Sequence, residues 1–209
     1  MKRKTILFIA TLIIIGVAGA WYFLGKTPAA APTQGTVQEP EPSLDPTKHG
    51  YFDVSTAKQM IIYNQQAIEL SDIAQHGETD ADIQKLAEKV ATAHNNAAEQ
   101  YAKWLNDWNE PYLSLSDFPR EDGHDAYPTN PGMPKVAELD KATTMSTADK
   151  EKEFLRLLLQ LYEGTLEYID MRSDQIQYGE MKKYAVAEKT YYEQEIQSIK
   201  NLQKAKGYN

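Results

Sequence analysis

The chain has 209 residues, 42% of them hydrophobic and 25% charged, a formal net charge of −8 and no cysteine. That length holds one domain with appendages, and the lack of thiols excludes disulfides, thiolate metal ligands and a thiol nucleophile. Only 4 of the 22 basic residues and none of the acids fall in the first 26 residues, so the remainder sets 18 cations against 30 carboxylates. This balance argues against nucleic acid as a partner and against electrostatic adhesion to anionic lipid.

Lys2, Arg3 and Lys4 open the chain and are followed by an apolar run of 20 residues, 5–24. About 20 residues span a bilayer, and the flanking cations favour leaving the N-terminus in the cytoplasm. Residues 1–25 therefore read as a transmembrane anchor or signal segment. Ala18, Gly19 and Ala20 would suit a signal peptidase, whereas Trp21, Tyr22, Phe23 and Leu24 carry the run past that point as a retained anchor does. The membrane is thus an expected partner through the N-terminal helix, and the rest of the chain is exported in either case.

All ten prolines fall in two windows, five within 28–46 and five within 111–134. Proline inside a helix costs about 3 kcal/mol, so long helices belong in 47–110 and 135–209. Residues 26–50 read as a Pro/Ala-rich tether. Four helices follow. The first is expected over 55–75, and the second from Thr79 to about Trp108, with Thr79 to Asp82 resembling a capping box. The third is expected from Ser146 or Thr147 to about Tyr178, and the fourth from Gly179 to about Lys206. Residues 109–145 connect the pairs, with a short helical turn over 134–141. Short turns within pairs and one long connection predict an all-α, ferritin-like four-helix bundle over 51–207. It would consist of two repeated helical hairpins (53–109 and 147–206) joined by a crossover (110–146) and preceded by one transmembrane helix.

The two hairpins repeat. Shifting residues 57–105 forward by 98 positions places apolar on apolar without a gap, with Glu69, Asp72, Lys85 and Ala87 falling on Glu167, Asp170, Lys183 and Ala185. A unit that cannot bury its own apolar face buries it against its copy. The second helix carries a stripe of Ala87, Val90, His94, Ala97, Tyr101, Trp104 and Trp108, which should face the bundle interior. In the fourth helix the same positions hold Ala185, Glu188, Tyr192, Glu195, Ile199 and Leu202. Packing about a pseudo-two-fold axis would bring Asn64, His94, Tyr162 and Tyr192 into one polar layer, with Glu195 one turn along and Glu188 on the same face. Buried polar groups without partners cost about 1–3 kcal/mol each, so a mutual hydrogen-bond network is expected.

At these residues the chain resembles the exported bacterial family called domain of unknown function 305. Met60 to Trp108 is similar to the family's first half. Gly132-Met133 through Leu202, with Phe154-Leu155 and Glu163-Gly164, is similar to its second half. The resemblance implies a ferritin-like bundle, and some members are associated with copper handling outside the cytoplasm. It also implies a His-His pair on helices one and three and a Gln-x-x-Glu element on helices two and four. Here the pairs fall on Tyr63-Asn64 and Leu161-Tyr162, and the Gln-x-x-Glu positions on His94 with Ala97 and Tyr192 with Glu195. Only Glu195 keeps the family's residue type.

Two readings of the layer follow. It is a polar network that fixes helix register where a metal once sat, or it is a reduced metal site of His94 and Glu195 assisted by Asn64 or Glu188, copper being the metal the resemblance implies. The residues alone do not form a strong ligand set, since such sites commonly use three or more imidazole, carboxylate or thiolate donors. His49, His76 and His124 sit in linkers or turns, and the methionines are scattered without paired spacing. No nucleophile with a base, and no phosphate-binding glycine loop, emerges, so no enzyme activity and no cofactor is expected. The crossover, with Leu113 to Pro119, caps one end of the bundle or meets a cell-envelope protein partner. The expected protein is a binding or scaffold module in the bacterial cell membrane, single-pass with its C-terminal domain extracytoplasmic, or secreted or periplasmic after signal cleavage. The alternative function is extracytoplasmic copper handling.

Overall fold

The computed structural model describes residues 48–76, 79–114 and 130–208. The proposed anchor and most of the tether lie outside them, as do His124 and residues 115–119 of the crossover. Among the described residues no helix is long and apolar enough to cross a membrane.

Five helices and no strands make up the described chain: α1 (Tyr51–Gln75), α2 (Ala81–Asp107), α3 (Val136–Thr143), α4 (Thr147–Arg172) and α5 (Gly179–Lys206). The four long helices form the bundle as two hairpins, α1–α2 and α4–α5, with α1 packed against α4 and the short α3 lying on both. Helix bounds repeat with the same offset as the sequence: α2 and α5 begin 98 residues apart, at Ala81 and Gly179. The core runs the length of the bundle. α1 contributes Ala57, Met60, Ile61, Tyr63, Ala67 and Leu70, and α4 contributes Phe154, Leu155, Leu158, Leu161 and Tyr162, all essentially solvent-free.

Local chemistry shifts several helix ends from their expected places. α1 starts at Tyr51, four residues early, because Asp53 in its first turn accepts the Gly50 N–H at 2.6 Å and so satisfies an orphan donor at the positive end of the helix. The cap of α2 is Asp80, whose side chain accepts from the Asp82 N–H at 2.9 Å. Thr79 instead turns its hydroxyl back to the Ala74 carbonyl. α4 stops at Arg172, six residues before the expected Tyr178, because the N–H groups of Gln177 and Tyr178 leave the helical ladder for Asp53 Oδ1, at 2.9 and 3.0 Å. α5 ends at Gly207, which has φ +71°, the left-handed cap that glycine accepts without strain.

Two carboxylates tie the hairpins together. Asp53 on α1 holds the α4–α5 turn through Tyr178, and Glu151 on α4 holds the α1–α2 turn by accepting the Asp80 N–H at 2.6 Å. Position 53 maps onto 151, and 80 onto 178, under the 98-residue shift. The second oxygen of Glu151 accepts the Tyr208 hydroxyl at 2.8 Å.

The end of the crossover is clamped between α1 and α4. Tyr63 donates to the Pro131 carbonyl at 2.9 Å, Gln66 to that of Pro134 at 2.8 Å, and Gln160 to that of Gly132 at 3.3 Å. Backbone meets backbone here. A Cβ on Gly164 would lie 2.1 Å from the Pro131 carbonyl oxygen and 2.4 Å from the Gly132 Cα, and Gly132 itself has φ +72°.

Candidate functional site

Amphipathic spacing puts His94 on the buried face of α2, and the bundle supplies its partners from both hairpins. Its Nδ1 lies 2.6 Å from Asn64 Oδ1 and its Nε2 lies 2.8 Å from the Tyr162 hydroxyl. The Asn64 amide nitrogen donates to the Met60 carbonyl at 2.7 Å, which leaves Oδ1 as the acceptor facing the ring. His94 therefore carries its proton on Nδ1 and accepts from Tyr162 at Nε2. Burial pushes the imidazole pKa down to about 3, so the ring is neutral at any ordinary pH. Burial likewise holds the Tyr162 phenol well above its usual range, with Tyr191, Tyr192 and Glu195 adding to the effect.

Around this chain the aromatic rings close in. Tyr192, from α5, packs edge-on against Tyr162 at 5.1 Å between centroids and lies 6.0 Å from His94. Tyr191 sits 6.1 Å from His94 and 6.3 Å from Tyr162. Asn64, His94, Tyr162 and Tyr192 thus share one layer.

The two glutamates take separate places. Glu188 is buried and accepts a short hydrogen bond from Tyr101 on α2. Burial pushes its pKa up to about 8, against a smaller opposing pull from the Tyr101 hydroxyl. Glu195 lies on the other side of the layer, paired through Oε1 with Lys89 at 2.5 Å. Its Oε2 is buried without a hydrogen-bond partner, while the buried Tyr191 hydroxyl lies beside that of Tyr162 and interacts with it.

The ligand set weighed from sequence is therefore only partly assembled. Asn64 touches His94, whereas Glu188 belongs to a different pair. Among the described residues no group of three or more His, Asp or Glu stands where it could hold a metal ion. The positions that the resemblance assigns to paired histidines hold Tyr63, which donates to a backbone carbonyl, Asn64 and Tyr162, which bond His94, and the buried apolar Leu161. With both ring nitrogens engaged and no sulfur or second imidazole present, this layer does not fit copper. His76 sits at the exposed end of α1 with Nδ1 against the Asp72 carbonyl, and His49 stacks on Trp108 at 4.5 Å.

Sequence reasoning missed three residues. Tyr101 belongs to the interior stripe of α2 as a packing residue, yet facing Glu188 it is also a donor. Lys89 lies beside the stripe, yet its long side chain reaches across to Glu195. Tyr191 stands outside the stripe that the spacing picks out, yet its ring neighbours His94 and Tyr162. The signal for Tyr101 and Lys89 was a carboxylate on the buried stripe of α5, which demands a donor on a facing helix; Tyr191, on α5 itself, had no such signal.

The model of the domain of unknown function 305 family matches residues 53–203. A solved structure of a Streptomyces coelicolor protein of this family, predicted to be secreted, is 24% identical, with a TM-score of 0.65 over 75% of this chain and 92% of that one. A fragment of a Deinococcus radiodurans member is 19% identical, with a TM-score of 0.64 over 74% of this chain and 96% of that one. A comparison with curated proteins finds no match. With the family model covering most of the chain and both solved bundles sharing its fold, the protein belongs to the domain of unknown function 305 family.

Proposed function

We propose that the protein is a membrane-tethered, extracytoplasmic helical-bundle module that binds or scaffolds rather than catalyses, and that the Asn64–His94–Tyr162 chain replaces the family's copper chemistry with a register-fixing network. The observation that carries this reading is the use of both His94 ring nitrogens by protein groups. Export is supported by the basic residues and apolar run at the N-terminus and by the predicted secretion of the Streptomyces relative. The acidic exterior suits solution or a basic partner, and the crossover remains the candidate contact for a cell-envelope protein.

The test is elemental analysis of the full-length chain after exposure to copper and desalting, paired with thermal melts. The expected result is no stoichiometric copper in the parent. In His94→Ala, the stranded Asn64 and Tyr162 groups and the cavity should cost about 2–4 kcal/mol. One equivalent of copper that disappears in His94→Ala would overturn the reading in favour of copper handling around His94 and Glu195.

A further inference from the structure

The two ends of the bundle differ in what they show to solvent. One end joins the start of α1, the end of α2 and the α4–α5 turn, as the contact of Asp53 with Tyr178 and the stacking of His49 on Trp108 establish. Among the described residues, five large apolar side chains are exposed: Tyr51, Phe52, Leu113, Met171 and Val186. Tyr51 and Phe52 open α1, Met171 is the penultimate residue of α4, and Val186 lies about two turns into α5. Leu113 follows closely on Glu110, which pairs with Lys58 near the start of α1. All five belong to this end, and the opposite end carries none of them. Tyr51 is 80% exposed, Leu113 57% and Met171 52%, so the bundle itself does not cover them. Behind them Trp108 is half-buried, with Tyr178 edge-on at 5.2 Å. Indole and phenol rings, apolar in body and polar at one point, suit the boundary between lipid headgroups and acyl chains.

A gathering of exposed apolar groups marks a surface that something covers, and the chain outside the described residues points to the occupant. Residues 25–47 join the apolar run of 5–24 to Lys48, just ahead of α1. A segment of that length spans at most about 80 Å, and it enters the bundle at the apolar end. We propose that this end docks on the outer leaflet of the membrane, with Tyr51, Phe52, Leu113 and Met171 entering the headgroup boundary of zwitterionic phospholipid. The proposal rests on the membrane-tethered reading above and adds a second, peripheral contact made by the folded domain. Asp107, Glu110 and Glu180 pair with Lys103, Lys58 and Lys183, so apolar contact rather than attraction to anionic lipid drives the docking. A few such side chains bind a bilayer weakly by themselves. The tether makes the encounter intramolecular, at an effective concentration that reaches about millimolar for short flexible linkers. The α1–α2 turn then faces away from the membrane, roughly 40 Å off by the length of α1.

The absence of cysteine lets one label be placed at a time. Leu113→Cys and Met171→Cys mark the docking end, and Ala148→Cys marks the exposed first turn of α4 at the opposite end. Each full-length variant is labelled with an environment-sensitive nitrobenzoxadiazole dye and reconstituted in phosphatidylcholine vesicles, with and without doxyl-labelled lipid. Labels at 113 and 171 should shift to the blue and lose most of their emission to the doxyl lipid, at low and high salt alike. The label at 148 should do neither. Tyr51→Ser, at an exposed position, should melt like the parent and weaken the quenching at 171. Unquenched labels at 113 and 171 in chains that resist alkaline extraction would overturn the docking and leave the tether standing. Extraction by alkali of chains whose labels had been quenched would overturn the tether and leave the docking standing. Equal quenching at all three positions would overturn the assignment to this end. A blue shift already present without vesicles would give the surface to the crossover, or to a second copy where it grows with protein concentration, and either would overturn the proposal.

Discussion

Glu188 and His94 are buried groups that keep their neutral forms, and they act on stability at opposite ends of the pH scale. His94 accepts a proton readily once the chain unfolds, so stability should fall as pH drops below 6.5 towards its folded pKa of about 3. Glu188 works the other way. The folded chain retains its proton up to about pH 8 while the unfolded chain loses it near 4.5, so stability should fall as pH rises through that window. The two effects offset each other between 4.5 and 6.5, where the melting temperature should be highest. Glu188→Gln keeps an acceptor for Tyr101 and should flatten the decline between pH 6.5 and 8, which thermal melts across that range would reveal. An unchanged decline would assign it to other groups. The burial of both residues was legible from their places on the 3–4 stripes. Their partners were not, because the axial stagger between α2 and α5 decides whether Glu188 meets Tyr101 or another residue, and spacing within one helix carries no information on stagger.

At the level of elements, the crossover backbone meets that of α4 directly, whereas α1 reaches it through the side chains of Tyr63 and Gln66. Gly132 and Gly164 make that approach, and an added methyl on Gly164 would fall inside the Pro131 carbonyl. Gly164→Ala should therefore destabilise the bundle by about 1–3 kcal/mol, visible as a lower midpoint in urea, and a neutral substitution would mean that the crossover lifts away freely. The carboxylate ties are equally specific. Asp53→Ala strands the N–H groups of Gly50, Gln177 and Tyr178 and should cost about 1–3 kcal/mol, whereas Asp53→Asn keeps an acceptor and should cost less. Hydrogen exchange at Gln177 and Tyr178 would localise the effect. Proline placement and glycine stops were enough to find the four long helices and the short one in the crossover. The early end of α4 was not readable, because it is enforced by Asp53, more than a hundred positions away.

For the molecule as a whole, the 98-residue shift carried most of the architecture. It placed α2 and α5 in equivalent positions and put Asn64, His94, Tyr162 and Tyr192 in one layer. It said less about the site, since repetition predicts what the two halves share and the chemistry lies in what they do not. Glu188 stands where the other half has Val90, and Glu195 where it has Ala97, so each buried carboxylate had to recruit a partner that no symmetry supplies. Extending the shift four residues upstream would have paired Asp53 with Glu151. That pair has a history written into it. Each half grips the turn of the other through the same position, the reciprocal contact of a two-fold homodimer. Two separate copies of one ancestral hairpin would already close both grips. A crossover joining such copies adds its own clamp on α1 and α4 without replacing either grip.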